Sequence, residues 1–136
     1  MSCRFLFGFM LLCCAGGRAY ADPQTDYMLK CMGCHGPDGA EVTGKVPALK
    51  DNVARFFSVE GGRAYVVQVP GARQSPLPDK ALADLLNWMG PRFDADHMPE
   101  DFAPYTEAEV HELRRTRLKD VSAIRARLMA VLAETP

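Results

Sequence analysis

Five consecutive residues near the start of the chain constrain it more than any others: Cys31, Met32, Gly33, Cys34 and His35. Two thiols separated by two residues and followed at once by a histidine form the pattern Cys-x-x-Cys-His, which is typical of c-type haem attachment. Each thiol can bond to one vinyl group of the same porphyrin, and the imidazole of His35 can then bind the iron as its proximal ligand. The motif therefore predicts one covalently bound haem c.

Other uses of a Cys-x-x-Cys pair fit this chain less well. A thioredoxin-like redox pair belongs beside a strand-helix-strand pattern, and the sequence shows none. A structural zinc site needs four ligands, and no second cysteine pair is present to complete one. A structural disulfide would leave His35 without a role. The motif and the export signal described next together favour haem attachment.

The first 21 residues resemble a cleaved secretory signal. Arg4 precedes an apolar run from Phe5 to Ala15, and Ala19 and Ala21 place small residues where a signal peptidase cuts. The apolar run is too short to span a membrane as a helix. We therefore expect cleavage after Ala21, a mature domain of residues 22–136, a periplasmic location and no stable membrane insertion afterwards.

The composition excludes some classes of function. Removal of residues 1–21 takes away two of the 16 basic residues and none of the 17 acidic ones, which leaves a net charge of −3. Three of the five cysteines lie in the predicted signal, so the haem pair would be the only thiols in the mature chain. No basic stripe suggests nucleic acid binding, and the carboxylates are scattered singly, without an acid-base cluster for catalysis.

Apolar periodicity predicts a single all-α domain of about 115 residues. The expected helices cover residues 23–33, 51–59, 79–89, 106–118 and 120–133, and residues 63–69 can be read as strand or helix. Asp22, Asp79 and Thr106 are expected N-caps. The pair Gly90-Pro91 is expected to end the third of these helices.

The haem motif and the residues after it resemble the N-terminal half of class I cytochromes c. The resemblance consists of Cys-x-x-Cys-His-Gly, a glycine-containing loop and then Pro47-Ala48-Leu49. It is strong over residues 26–49, moderate over 79–118 and absent from the last helix. It implies a small cytochrome c-like helical domain wrapped around one covalent haem, with an extra C-terminal helix, and it favours a helix at 63–69. It also implies that the carbonyl oxygen of Pro47 accepts a hydrogen bond from the free ring nitrogen of His35.

The sixth iron ligand is less certain than the proximal one. Class I cytochromes place a methionine, often followed by proline, in a loop before a late helix, and Met98-Pro99 matches that setting. The resemblance therefore favours Met98. However, Ser75 stands where many members carry a methionine, so Met89, His97 or an open position remain alternatives. Arg63 and Tyr65 are candidates for binding a haem propionate, or are simply a solvated arginine and a core tyrosine.

The resemblance implies a periplasmic one-electron carrier rather than an enzyme. Its partners would be periplasmic or membrane redox proteins, such as a dehydrogenase donor and an oxidase acceptor. A thioether ligand would favour the ferrous state, and a haem held on both faces needs little rearrangement on electron transfer. Two alternatives remain: a haem subunit of a periplasmic dehydrogenase complex that docks through the last helix, and an enzyme or sensor with an open iron position.

Overall fold

The computed structural model describes residues 21–42 and 46–134, so all of the expected signal except Ala21 lies outside the described residues. Within those ranges the chain forms seven α-helices: α1 (Pro23–Lys30), α2 (Met32–His35), α3 (Gly62–Gln68), α4 (Pro70–Arg73), α5 (Asp79–Phe93), α6 (Glu107–Arg114) and α7 (Val121–Glu134). Two 3-10 helices, Ala54–Ser58 and Ala95–His97, join them. The described part of the chain has no β-strand, only an isolated bridge between Val42 and Val46, so the all-α prediction is confirmed.

Helix α5 is the centre of the packing, because α1 lies against it on one side and α6 on the other. Its buried face carries the leucines that the periodicity predicted, continued by Met89 and Phe93. Tyr27 of α1 meets this helix with ring centroids 5.7 Å from Trp88 and 4.8 Å from Phe93. Since Tyr27 belongs to the helix that leads directly to Cys31, this aromatic contact fixes the haem motif against the core.

Helix α6 is an integral part of the domain. Thr106 caps it by accepting a hydrogen bond from the backbone amide of Glu109 at 3.1 Å. The carboxylate of Glu109 does not complete a reciprocal capping box, because it binds Arg63 of α3 through two contacts at 3.0 and 2.8 Å. Arg63 also lies over the Tyr105 ring, 4.0 Å from its centroid. These contacts tie α3, α6 and the loop before α6 together.

Helix α7 is nearly as long as α5 but buries far fewer of its residues. Leu128 is its buried residue, and the other apolar side chains that reach the core, such as Ile124 and Leu132, are only partly covered. Asp120 caps the helix by accepting a hydrogen bond from the amide of Ala123 at 2.8 Å. The last predicted helix therefore exists, and α3 is the part of the domain it packs against.

Several helix boundaries differ from the predictions. Asp22 caps α1 as predicted, accepting from the amide of Thr25 at 3.1 Å. Asp79, in contrast, is the first helical residue and Pro78 is the cap. The Gly90-Pro91 pair does not end α5, which continues to Phe93. The burial of Phe93 against Tyr27 offsets the single backbone hydrogen bond that Pro91 cannot make. The ambiguous residues around 63–69 are helical.

No helix within residues 21–42 and 46–134 combines the length and the apolar character needed to cross a membrane.

Candidate functional site

The Cys-x-x-Cys-His motif lies at the junction of two helices rather than inside one. Cys31 separates α1 from α2, and the amides of Cys34 and His35 both donate to its carbonyl oxygen at 3.0 Å. These two hydrogen bonds form a single helical turn from Cys31 to His35. Residues three apart on such a turn project from the same side. The backbone therefore presents Cys31 and Cys34 on one side and His35 directly after them.

The two thiols are free and differ in exposure. Cys31 is half-buried against the core and Cys34 is exposed. Burial raises the pKa of Cys31 to about 11, and the nearby Asp26 carboxylate and Cys34 add to the shift. Redox pairs of the thioredoxin type need a first thiol of lowered pKa. The environment of Cys31 therefore argues against a disulfide oxidoreductase and is compatible with a thiol kept for covalent attachment of a cofactor.

His35 has the surroundings of a metal ligand without a metal-binding cluster of its own. It is partly buried, and its Nδ1 atom is buried without a hydrogen-bond partner among the described residues. Burial lowers the pKa of His35, and the backbone carbonyl of Pro47 opposes this shift. The ring is therefore held in its neutral form, which is the form that binds iron. In the described ranges no three His, Cys, Asp or Glu side chains gather as a metal-ion site.

The loop that carries Pro47 is anchored beside the motif. The amides of Leu49 and Lys50 both donate to the carbonyl of Gly39, at 2.8 and 3.0 Å. The two ends of the loop are also joined where the Val46 amide donates to Val42. These bonds anchor the chain on both sides of Pro47, whose carbonyl opposes the lowering of the His35 pKa. A backbone carbonyl facing an iron-bound histidine would fix the ring and raise its basicity.

These residues fit a covalent haem. Two free thiols at the attachment spacing, a neutral imidazole with an orphaned buried nitrogen and a facing carbonyl are what the group requires. Cys31, Cys34 and His35 would hold it, and Pro47 would support the histidine.

Met98 lies on another part of the core. Its sulfur packs so closely on α5 that a Cβ atom added to Gly90 would lie 2.7 Å from it, and the ring of Phe57 borders the same spot. The close contact described for Met98 is thus with α5 and not with the haem motif. Met89 is buried on α5, as its helical position predicted.

Both ring nitrogens of His97 are occupied. Nδ1 is paired with the buried carboxylate of Asp94, and Nε2 lies 2.7 Å from a guanidinium nitrogen of Arg55. Asp94 also accepts from the amide of Ala54 at 2.8 Å, which caps the first 3-10 helix. His97 therefore belongs to a structural network in this conformation, and the network would have to open before it could bind iron.

The candidates for binding a propionate also have other partners. Arg63 binds Glu109, and Tyr65 packs on Phe56 with ring centroids 5.1 Å apart. Sequence reasoning did not anticipate the importance of Tyr27 or Arg114. Tyr27 falls on the apolar face of α1, which signals burial only, and an arginine near a helix C-terminus suggests no particular long-range partner.

An all-helical domain built beside a Cys-x-x-Cys-His motif is typical of small c-type cytochromes. No protein-family model matches the chain. The chain is homologous to a cytochrome c-552 of Thermus thermophilus, a class I cytochrome c, with 29% identity over 134 residues, 85% of this chain and 88% of the relative. A second Thermus thermophilus cytochrome c-552 is 28% identical over 107 residues, covering 65% of this chain and 82% of that protein.

This homology confirms the resemblance seen in the sequence. It places the chain among electron-transfer proteins rather than enzymes, as predicted, and it implies covalent haem c as the cofactor.

Proposed function

We propose that this protein is a periplasmic monohaem cytochrome that carries single electrons between redox partners. The observation that carries the proposal is the arrangement at the junction of α1 and α2, where two free thiols adjoin a neutral, partly buried histidine. When bound, haem supplies an iron that alternates between the ferric and ferrous states. The chain's own task is to hold the group through Cys31 and Cys34 and to keep His35 in one orientation.

The second part of the proposal concerns the sixth ligand. Met98 remains the favoured residue because it lies in a loop, precedes Pro99 and comes before a capped helix. Its sulfur now rests against Gly90, so ligation requires the side chain, which is long and flexible, to turn away from α5. The paired nitrogens of His97 and the position of Met89 in the core make those two residues weaker candidates.

The third part concerns location and partners. Residues 1–21 would direct export and be removed, leaving a mature chain that begins at Asp22. We expect the electron donor and acceptor to be periplasmic or membrane redox proteins, such as a dehydrogenase and an oxidase. The net charge of −3 after removal of the signal gives only weak electrostatic steering toward them.

A second candidate function is a haem protein with an open iron position, acting as an enzyme or a sensor. The packing of the Met98 sulfur on Gly90 favours it, because a methionine kept in that contact would not be available to bind the iron. The resemblance to class I cytochromes c implies a methionine where Ser75 stands, and a serine hydroxyl is not a soft ligand for haem iron.

One experiment on the purified protein tests the attachment and the processing together. The intact mass should correspond to residues 22–136 with one haem, and haem staining should persist on a denaturing gel. Replacing both Cys31 and Cys34 with alanine should abolish the staining. Met32→Leu is the matched control, because it changes a residue between the two cysteines without removing a thiol. Covalent haem in the double variant would refute the attachment site, and a mass that includes residues 1–21 would refute the signal.

A further inference from the structure

The hydroxyl of Tyr27 makes an unusual link between α1 and the residue that follows the haem motif. Tyr27 is 2% exposed, and its hydroxyl donates to the carbonyl of Gly36 at 2.7 Å. Gly36 is the residue directly after His35. The rings of Trp88 and Phe93 pack against Tyr27, so the hydroxyl has a fixed position. The bond therefore fixes the backbone immediately after the proximal histidine to the core of the domain.

Gly36 is the first residue of a tight turn that ends at Gly39. Gly36 and Gly39 both have positive φ, at 68° and 73°, which lets the chain reverse tightly between them. Burial raises the pKa of Tyr27 to about 12, so the hydroxyl keeps its proton. Tyr27 thus donates to the first residue of the turn, and its ring packs on Phe93, the ring that lies against the last residue.

Gly39 connects this turn to the loop that carries Pro47. Its carbonyl accepts from the amides of Leu49 and Lys50, and the Phe93 ring covers it so closely that an added Cβ atom would lie 2.9 Å away. Leu49 is two residues beyond Pro47. Contacts therefore run from Tyr27 through the turn to the loop that carries Pro47, whose carbonyl opposes the lowering of the His35 pKa.

We propose that Tyr27 is a positioning residue for the proximal ligand. Tyr27 sets the orientation of His35 and holds the Pro47 carbonyl against the imidazole. The inference rests on the proposed function, because it concerns how the haem ligand is held. Without the hydroxyl, the Gly36 carbonyl loses its buried partner and the turn can relax. The Pro47 carbonyl then moves away from the imidazole, which makes His35 a weaker donor to iron.

Tyr27→Phe tests the proposal, since it keeps the packed ring and removes only the hydroxyl. Tyr105→Phe is the matched control: Tyr105 is also buried, and its hydroxyl also donates to a backbone carbonyl, that of Arg63 at 3.2 Å, away from the haem motif. Both variants should lose some thermal stability. Only Tyr27→Phe should change the pattern of paramagnetically shifted haem-methyl proton resonances, which reports the orientation of the axial imidazole.

Three further measurements extend the test. The reduction potential should rise in Tyr27→Phe, because a weaker histidine donor stabilises ferric iron less. The amides of Leu49 and Lys50 should exchange with solvent about fivefold faster, the effect of losing one hydrogen bond. In the wild-type protein, the Tyr27 hydroxyl proton should exchange slowly enough to be seen by NMR.

The outcomes separate this inference from the proposed function. A wild-type protein without covalent haem would refute the proposed function itself. A wild-type protein that carries haem, combined with an unchanged methyl pattern and potential in Tyr27→Phe, would refute only the role of Tyr27. A wild-type Tyr27 hydroxyl proton that exchanges too fast to observe would refute that role as well, whether or not the variant folds.

Discussion

Arg114 offers the sharpest test of how the C-terminal helices support the core of the domain. Its guanidinium donates to the carbonyls of Ser75 and Leu77, at 2.5 and 2.8 Å, and to the carboxylate of Asp79 at 2.7 Å. A fourth contact reaches the carbonyl of Arg73 at 3.3 Å. One side chain of α6 thus holds the whole segment between α4 and α5.

The cost of Arg114→Ala follows from these contacts. A hydrogen bond to a charged group contributes about 1.5–3 kcal/mol, and removing one partner of a buried ion pair costs about 3–5 kcal/mol. The Arg114 side chain is 16% exposed and that of Asp79 is 25% exposed, so water can replace part of what is lost. We therefore expect a loss of about 3 kcal/mol, or a thermal midpoint about 10 °C lower.

Arg115→Ala is the natural control because it removes the same side chain one position along. Arg115 is 69% exposed and has one ion pair, with Glu112 at 3.5 Å. Its replacement should cost less than about 0.5 kcal/mol. Thermal unfolding followed by circular dichroism compares the two variants. If Arg114→Ala unfolds within about 2 °C of Arg115→Ala, the segment before α5 does not depend on this clamp, and the reasoning is wrong.

Three further predictions concern single sites. Gly62→Ala should cost about 3 kcal/mol or more, because the new Cβ would lie 1.9 Å from a backbone carbonyl, whereas Gly71→Ala meets no atom within 4 Å and should be neutral or slightly stabilising in thermal melts. Met98→Ala should let the reduced protein bind carbon monoxide, and an unchanged spectrum in this variant would place the ligand elsewhere. Met89→Leu should not allow carbon monoxide to bind, and it should lower the unfolding free energy by less than about 1.5 kcal/mol. Burial opposes the ionised form of Asp79, but hydrogen bonds from two basic side chains of α6 outweigh it and lower the pKa of Asp79 below 3.8. The ionised Asp79 carboxylate therefore stabilises the fold above about pH 3.8, and this contribution is lost as the pH falls through the pKa of the folded state. The difference in unfolding free energy between the wild type and Asp79→Asn should therefore become smaller in acid.

Features that depend on neighbouring residues could be predicted from the amino-acid sequence alone. The spacing of Cys31, Cys34 and His35 is a local property of one helical turn, and that spacing is enough to indicate the cofactor. Apolar residues at helical intervals located α1, α5, α6 and α7, but not α4, and residues 51–59 form a 3-10 helix only over Ala54–Ser58. Asp22 and Thr106 marked two helix starts correctly, because a cap bonds to an amide only three residues away.

Contacts between distant parts of the chain determine where α5 ends and what surrounds the site. Gly90 and Pro91 are local stop signals, but the burial of Phe93 against Tyr27 outweighs them. Asp79 has the side chain of a cap, yet it binds Arg114, 35 residues away in sequence. The bond from Tyr27 to Gly36 and the packing of Met98 on Gly90 likewise depend on how helices meet. The spacing of residues cannot predict these contacts, because they depend on the burial of apolar surface between elements that are distant in the chain.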